Sequence, residues 1–307
     1  MRGLKHLIFP VIFLFVLGMV GCVSSEKIVL DPESRDFYKT AQLIITKEEK
    51  EIFNHLPDKE SRGEFIKEFW TKRDPDPDTE ENEFKQEFLR RIDYANKYFK
   101  EGIPGWKTDR GRIYIIFGPP DKIERNPVLM GPDIKGLLLW IYYRYDFAIE
   151  FLDKRGNGTY TFDPYTGVHG SFFAALEEVK LGQALRTEGD FEQKFVDFDV
   201  EFDSEENEIV VSIPVDALTF LDEEGLLKAD FQFDFFIYEK EGIEKHKFSR
   251  SAHFEKPEDE VLRLEDIVFT FPFDFKPGEY YFDVTIISKA IPKTRKIFEI
   301  NVPKNDG

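Results

Sequence analysis

The chain has 307 residues, and its 60 acidic side chains against 42 basic ones give a formal charge of −18. Such a surface repels phosphates and anionic headgroups, which excludes nucleic-acid binding and membrane attachment through a polybasic patch. A single cysteine, Cys22, excludes a disulfide within the chain, so stability must come from an apolar core to which 33 phenylalanines contribute. The length fits two domains.

The first 22 residues address the question of place. Arg2 and Lys5 form a basic start, Leu7 to Gly21 is almost entirely apolar, and Met19-Val20-Gly21-Cys22 passes into the polar run Ser24-Ser25-Glu26-Lys27. A basic n-region, a short apolar h-region and a small residue at the junction describe a secretory signal; the run is shorter than the roughly 18 residues that a comfortable transmembrane helix needs. The segment resembles a bacterial lipoprotein signal, in which the cysteine after a small residue is lipidated and becomes the first mature residue. An ordinary signal peptide with an incidental cysteine, or an uncleaved anchor, is the alternative. The expectation is a leader over 1–21, lipidation at Cys22 with membrane attachment through its acyl chains, and a tether over 22–35. Val23 rather than Asp follows Cys22, which by the sorting rule of Gram-negative lipoproteins implies the outer membrane, facing the periplasm.

From Asp36 to Gly102 the apolar spacing is helical. Thr46-Lys47-Glu48-Glu49 reads as a capping box, followed by Ile52, Phe53 and Leu56 on one face. A second helix is expected over Lys59 to Lys72, burying Phe65, Ile66, Phe69 and Trp70. A third starts near Asp78 or Thr79 and aligns Phe84, Phe88, Ile92, Ala95 and Phe99 in one stripe, with Gly102 as its stop. After Trp106 the period changes to two: Arg112 to Phe117 reads as a strand closed by Gly118-Pro119-Pro120. Leu137 to Tyr145 and Phe147 to Asp153 read as one long strand or two, Lys154 to Gly158 as a hairpin turn and Thr159 to Phe162 as the return strand. Ser171 to Leu185 returns to helix. The expected fold for 36–187 is α+β, helices plus an antiparallel sheet.

From about Phe191 the pattern is all strand, with seven segments: 194–202, 207–214, 229–239, 244–254, 266–274, 279–288 and 294–302. Seven strands separated by Asp/Glu/Gly/Pro turns predict an all-β immunoglobulin- or fibronectin-like sandwich over 191–304. No Cys…Trp…Cys core occurs, so an antibody-type domain is not expected.

Gly105-Trp106-Lys107-Thr108-Asp109-Arg110-Gly111-Arg112 resembles the motif of the GWxTD-domain family of bacterial envelope proteins. The likeness extends upstream through Phe69-Trp70, Arg73-Asp74-Pro75-Asp76-Pro77, Asn82-Glu83-Phe84, Phe88, Arg90-Arg91 and Ala95-Asn96, and downstream through Ile113 to Phe117 and Gly118-Pro119-Pro120-Asp121. It covers about residues 36–185. The resemblance implies an exported protein, often a lipoprotein ending in a β-sandwich, and carries over no established biochemical activity. Physically, Gly105 suits a positive φ between helix and strand. Trp106 suits a large anchor. Thr108 and Asp109 suit local backbone bonds, and Asp109 suits a clamp with Arg110 or Arg112. The functional alternative is a site at this corner, with Trp106 as stacking platform and Asp109 and Arg112 as polar contacts.

Other patterns carry little chemistry. Asp74, Asp76 and Asp78 imitate the opening of a calcium loop, but Thr79 stands where glycine is needed and Lys85 where the bidentate glutamate is needed; a proline-stiffened helix connection, whose last Asp or Thr caps the next helix, is the better reading. His246 and His253 share one strand at odd spacing, which points them to opposite faces. Ser171 beside His169 lacks a nucleophile elbow and reads as a helix N-cap. Trp140 to Tyr145 is the densest aromatic run, better read as a sheet packed on helices than as a sugar-binding face. No P-loop, dinucleotide fingerprint or HExxH is present, so no cofactor and no metal is expected. The expected role is non-catalytic: a tethered interaction or assembly component with an envelope protein partner. The alternative is a cell-wall glycan-binding or glycan-processing protein working near Trp106, Asp109 and Arg112.

Overall fold

The computed structural model describes residues 30–77, 79–125, 134–182, 198–240, 242, 244–291 and 293–303. Cys22 and the leader, and the expected strand residues 194–197, lie outside the described residues. The N-terminal part opens with four helices: α1 (Pro32–Ala41), α2 (Lys47–His55), α3 (Lys59–Arg73) and α4 (Glu83–Tyr98). Each start is explained by its cap. Asp31, Thr46, Asp58 and Asn82 accept a backbone N–H from the third residue beyond them, and Thr46 with Glu49 forms the complete capping box. Two boundaries differ from expectation. Helix α1 begins at Pro32, inside the stretch read as tether, because Asp31 caps it and proline suits its first turn. Helix α4 is capped by Asn82, not by Asp78 or Thr79, and ends at Tyr98, before Gly102.

The largest correction is at Arg112–Phe117. This segment is a helix, α5 (Asp109–Phe117), not a strand. Thr108 caps it by accepting the Gly111 N–H at 3.0 Å, and Gly118 ends it at φ 82°. All residues from Ile113 to Phe117 are buried, so this half of the helix is apolar all round and offers no polar face whose period could reveal it; the polar residues Asp109, Arg110 and exposed Arg112 sit in its first turn.

Strands β1 (Lys122–Arg125), β2 (Gly136–Tyr142), β3 (Phe147–Asp153) and β4 (Val168–Gly170) then form an antiparallel sheet in that order, followed by α6 (Phe172–Lys180). The expected return strand 159–162 shrinks to one bridge between Leu152 and Thr161, and β4 takes the edge of β3 from Phe147 to Ile149. Residues 154–158 make no tight hairpin; the Asp153 carboxylate gathers the N–H groups of Arg155, Gly156 and Gly158 instead. Ser171 holds the cap position of α6, but its side chain makes no capping bond. Trp140 and Tyr142 are buried against the helices, as expected of an aromatic core sheet.

The C-terminal part is all antiparallel strand apart from short turns. It contains β5 (Asp199–Asp203), β6 (Glu208–Pro214), β7 (Leu221–Glu223), β8 (Leu226–Glu239), β9 (Lys245–Pro257), one turn of helix α7 (Glu258–Val261), β10 (Asp266–Pro272), β11 (Gly278–Ser288) and β12 (Thr294–Val302). One sheet runs β10-β6-β5. The other runs β12-β11-β8, with β7 on the same side of β8 as β11 and β9 along its other side. The inner faces share one core, in which Phe231, Phe233 and Phe235 on β8 meet Phe269 and Phe271 on β10. Short β7 is the strand the sequence reading missed. Phe236, Tyr238 and Tyr281, from the outer face of the second sheet, join the core of the N-terminal part.

Candidate functional site

The Gly105–Arg112 corner is built by close backbone approach. Gly105 does not adopt positive φ; it opens a short 3-10 turn, Gly105–Lys107, against α4. A Cβ there would lie 1.8 Å from the Ala95 carbonyl oxygen, and one on Gly111 would lie 1.8 Å from the Gly105 carbonyl oxygen. The glycines are required for space. The same contact explains Ala95-Asn96: Ala95 is fully buried, and the Asn96 side chain accepts the Trp106 N–H at 3.2 Å. Thr108 donates to the Gly105 carbonyl at 2.8 Å while capping α5.

The polar side chains of the corner are engaged with a neighbouring segment. Thr161 exchanges both backbone bonds with Leu152 on β3, so the N–H groups of Tyr160 and Phe162 face the opposite way. There the Glu101 carboxylate accepts from Tyr160 at 3.0 Å and the Asp109 carboxylate accepts from Phe162 at 3.2 Å. Two carboxylates take the place of a neighbouring strand's carbonyls. The expected Asp109–Arg110 or Asp109–Arg112 clamp does not form. Arg110 pairs with Glu101 at 2.5 Å and lies over the Tyr160 ring at 4.5 Å; Arg112 is exposed and makes no ion pair among the described residues. Trp106 is half-buried against the core, with Lys107 over its ring. Gly118 accepts from the Tyr142 hydroxyl at 3.1 Å, and a Cβ on it would meet the Arg91 guanidinium. Arg91 donates to the Ile115 and Ile116 carbonyls and so caps the buried end of α5. Pro119 is exposed and Pro120 half-buried. Asp109→Ala should release the 159–162 segment and cost about 1–3 kcal/mol. Amide exchange at Phe162 measures it, and unchanged protection there would contradict the assignment.

A second constellation, which no motif announces, lies where the two parts of the chain meet. Glu49, Lys72, Arg73, Asp283 and Arg295 are all buried. Glu49 takes both Arg73 Nη atoms, at 2.9 and 2.6 Å, and Arg295 at 2.7 Å, while its second oxygen also serves the Thr46 capping box. Asp283 takes Arg295 through two bonds of 2.7 Å and Lys72 at 2.7 Å. Arg73 also donates to the carbonyls of Ile44 and Lys180. Burial, the largest influence on both acids, pushes them up, but Arg73 and Arg295 outweigh it at Glu49, as Arg295 and Lys72 do at Asp283, and hold both below their ordinary range. Burial alone would pull Arg295 down; its two carboxylates overcome that and raise it. Lys72 stays lowered by burial despite Asp283. Glu49 had a visible signature only as a cap, and Asp283 and Arg295 read as ordinary strand residues.

The histidines stay apart. His246 packs inward on Phe273 and His253 faces solvent with Asp230 at 2.7 Å. His169 pairs with Glu150 at 3.2 Å. Asp74 accepts its own loop's Asp76 N–H, and Asp78 lies outside the described residues. Among the described residues no His/Cys/Asp/Glu group is placed to hold a metal, and no helix is long and apolar enough to cross a membrane. Two surface clefts, of about 410 and 470 Å³, have no motif residue in their walls.

A helical and antiparallel domain organised around a glycine-packed corner is the class these observations define. Residues 31–164 match the GWxTD domain, so this segment of the chain is a GWxTD domain. No curated protein and no solved structure matches the chain.

Proposed function

We propose that this is a membrane-tethered cell-envelope lipoprotein that acts as a protein-interaction or assembly component without catalysing a reaction. In this reading Cys22 carries the acyl chains, the outer membrane facing the periplasm is the site, and an immunoglobulin- or fibronectin-like sandwich is presented beyond the GWxTD domain. The observation that carries it is how the motif spends its polar groups: Thr108 caps a helix, Asp109 and Glu101 hold backbone N–H groups, and Arg110 is paired. A corner whose side chains are committed to architecture supports a scaffold. The glycan reading draws no support from it, because Asp109 already has a backbone partner and Arg112 makes no ion pair with it.

The test has two parts. Cys22→Ser should move the protein from the membrane to the soluble fraction or leave it unprocessed, and unchanged membrane attachment would refute the tether. Crosslinking of the native protein in its envelope, read by mass spectrometry, should return a stoichiometric protein partner. Co-purifying glycan without protein would overturn the assembly reading.

A further inference from the structure

The longest sheet edge in the C-terminal part belongs to β9, thirteen residues against nine in β12, seven in β10 and five in β5. Its backbone pairs with β8 along one side, and no other strand pairs with it among the described residues. An edge of this length is a template for another strand unless something blocks it. The side chains on β9 are the opposite of the protein as a whole. In a chain of charge −18, the strand carries Lys245, Lys247, Arg250 and Lys256 against one carboxylate, Glu255. At its start, between β8–β9 and α3, lies the cleft of about 470 Å³, to which α3 adds Lys67 together with Glu64 and Glu68, and β8 adds the rings of Phe236 and Tyr238.

We propose that the β9 edge is the docking site for an extended acidic segment of a partner protein, which adds as a strand with its first carboxylates in the α3 cleft. The charges select this occupant. Lysines on an edge repel a second copy of the same edge and discourage neutral apolar strands, yet they attract a strand bearing carboxylates. Arg250 and Lys67 are exposed and make no ion pair among the described residues. Lys245 with Glu64 and Lys247 with Glu68 form surface pairs whose lysines stay exposed. Surface pairs of this kind are worth little, so a ligand carboxylate can exchange for Glu64 or Glu68 at small cost. Backbone bonds would supply affinity and alternate side chains specificity.

The inference deepens the assembly reading and rests on it. The test uses the full-length chain in detergent and two fluorescein-labelled octapeptides, one alternating Glu and Val, the other Lys and Val, read by fluorescence anisotropy. The Glu–Val peptide should bind more tightly, and weaken as salt is added. Lys67→Glu, in the cleft that takes the first carboxylates, should weaken it about fivefold while leaving the melting temperature unchanged; Arg250→Glu, on the opposite face of β9 from Lys245 and Lys247, should have the smaller effect. Amide exchange should show new protection within 245–257 when the peptide binds, because the edge N–H groups facing away from β8 become bonded. Equal binding of both peptides, protection confined to another strand, or concentration-dependent protection of β9 without peptide (pairing between copies) would overturn the proposal. An envelope protein captured by crosslinking, with no peptide binding, would refute the β9 edge and leave the assembly reading standing. Peptide binding without any captured partner would do the reverse.

Discussion

Glu49→Gln should destabilise the protein by about 3–5 kcal/mol, the usual effect of breaking a buried ion pair from one side. The site predicts the sign and also an order among variants. The wild-type cluster holds three cations, Lys72, Arg73 and Arg295, and two carboxylates, Glu49 and Asp283. Removing either acid leaves three buried cations around one carboxylate, and Gln cannot serve both guanidinium groups. Arg295→Met instead leaves two intact pairs, Glu49 with Arg73 and Asp283 with Lys72, and should cost less. Chemical unfolding of Glu49→Gln, Asp283→Asn and Arg295→Met checks the order; Arg295→Met as the most damaging would refute it. Acid should act in the same way. Both carboxyls sit below their ordinary values of 4.5 and 3.8, so the stability they contribute is fully present above those values and is lost as pH falls through the lowered, folded ones. The melting temperature should therefore hold from neutrality to about pH 5 and fall below it. In Glu49→Gln the acid-dependent loss should be smaller, because one of the two titrating groups is gone.

The placement of this cluster bears on how the chain works. Glu49, Lys72 and Arg73 come from α2 and α3, whereas Asp283 and Arg295 come from β11 and β12, more than two hundred positions later. Charges are directional where apolar contact is not, so the cluster sets one register of the two parts. It also reaches the surface, since Lys72 approaches the Tyr238 hydroxyl at 3.4 Å and that hydroxyl donates to Glu68 at 2.8 Å in the wall of the α3 cleft. A ligand that drew Glu68 away would disturb the edge of the same network.

Local chemistry made much of this fold legible. The Thr46–Glu49 box, the Phe84–Phe88 stripe and the seven long strands of the C-terminal part follow from capping and period, which need only neighbours in sequence. What failed were features set by distant contacts. Arg112–Phe117 reads like a strand because every side chain from Ile113 to Phe117 is buried, so tertiary surroundings and not period decide its state. The return strand 159–162 lost its place because β4 pairs with β3 and two carboxylates satisfy its other N–H groups. Of the candidate site, the residues were found and their partners were not. Asp109 bonds Phe162 and not an arginine, a choice that depends on a segment 53 residues away.

Gly105→Ala should be the most damaging change in the motif itself. An alanine Cβ would sit 1.8 Å from the Ala95 carbonyl oxygen, 2.4 Å from its carbon and 2.9 Å from the Asn96 Cα, all backbone atoms of α4. No flexible side chain can move aside, so the 3-10 turn must lift off the helix, breaking the Trp106–Asn96 bond and shifting the cap on α5. Overpacking of this kind costs about 3 kcal/mol or more, which in a chain of this size lowers the melting temperature by about 6–12 °C. The control lies in α3. Gly63 has no atom within 4 Å of where its Cβ would go, so Gly63→Ala should stabilise the helix by about 0.5–1 kcal/mol. Opposite signs at the two glycines, read in parallel thermal melts, would establish that Gly105 is there for contact with α4. A Gly105→Ala variant as stable as wild type would mean that the corner has slack, and would reopen it as a site where side chains move.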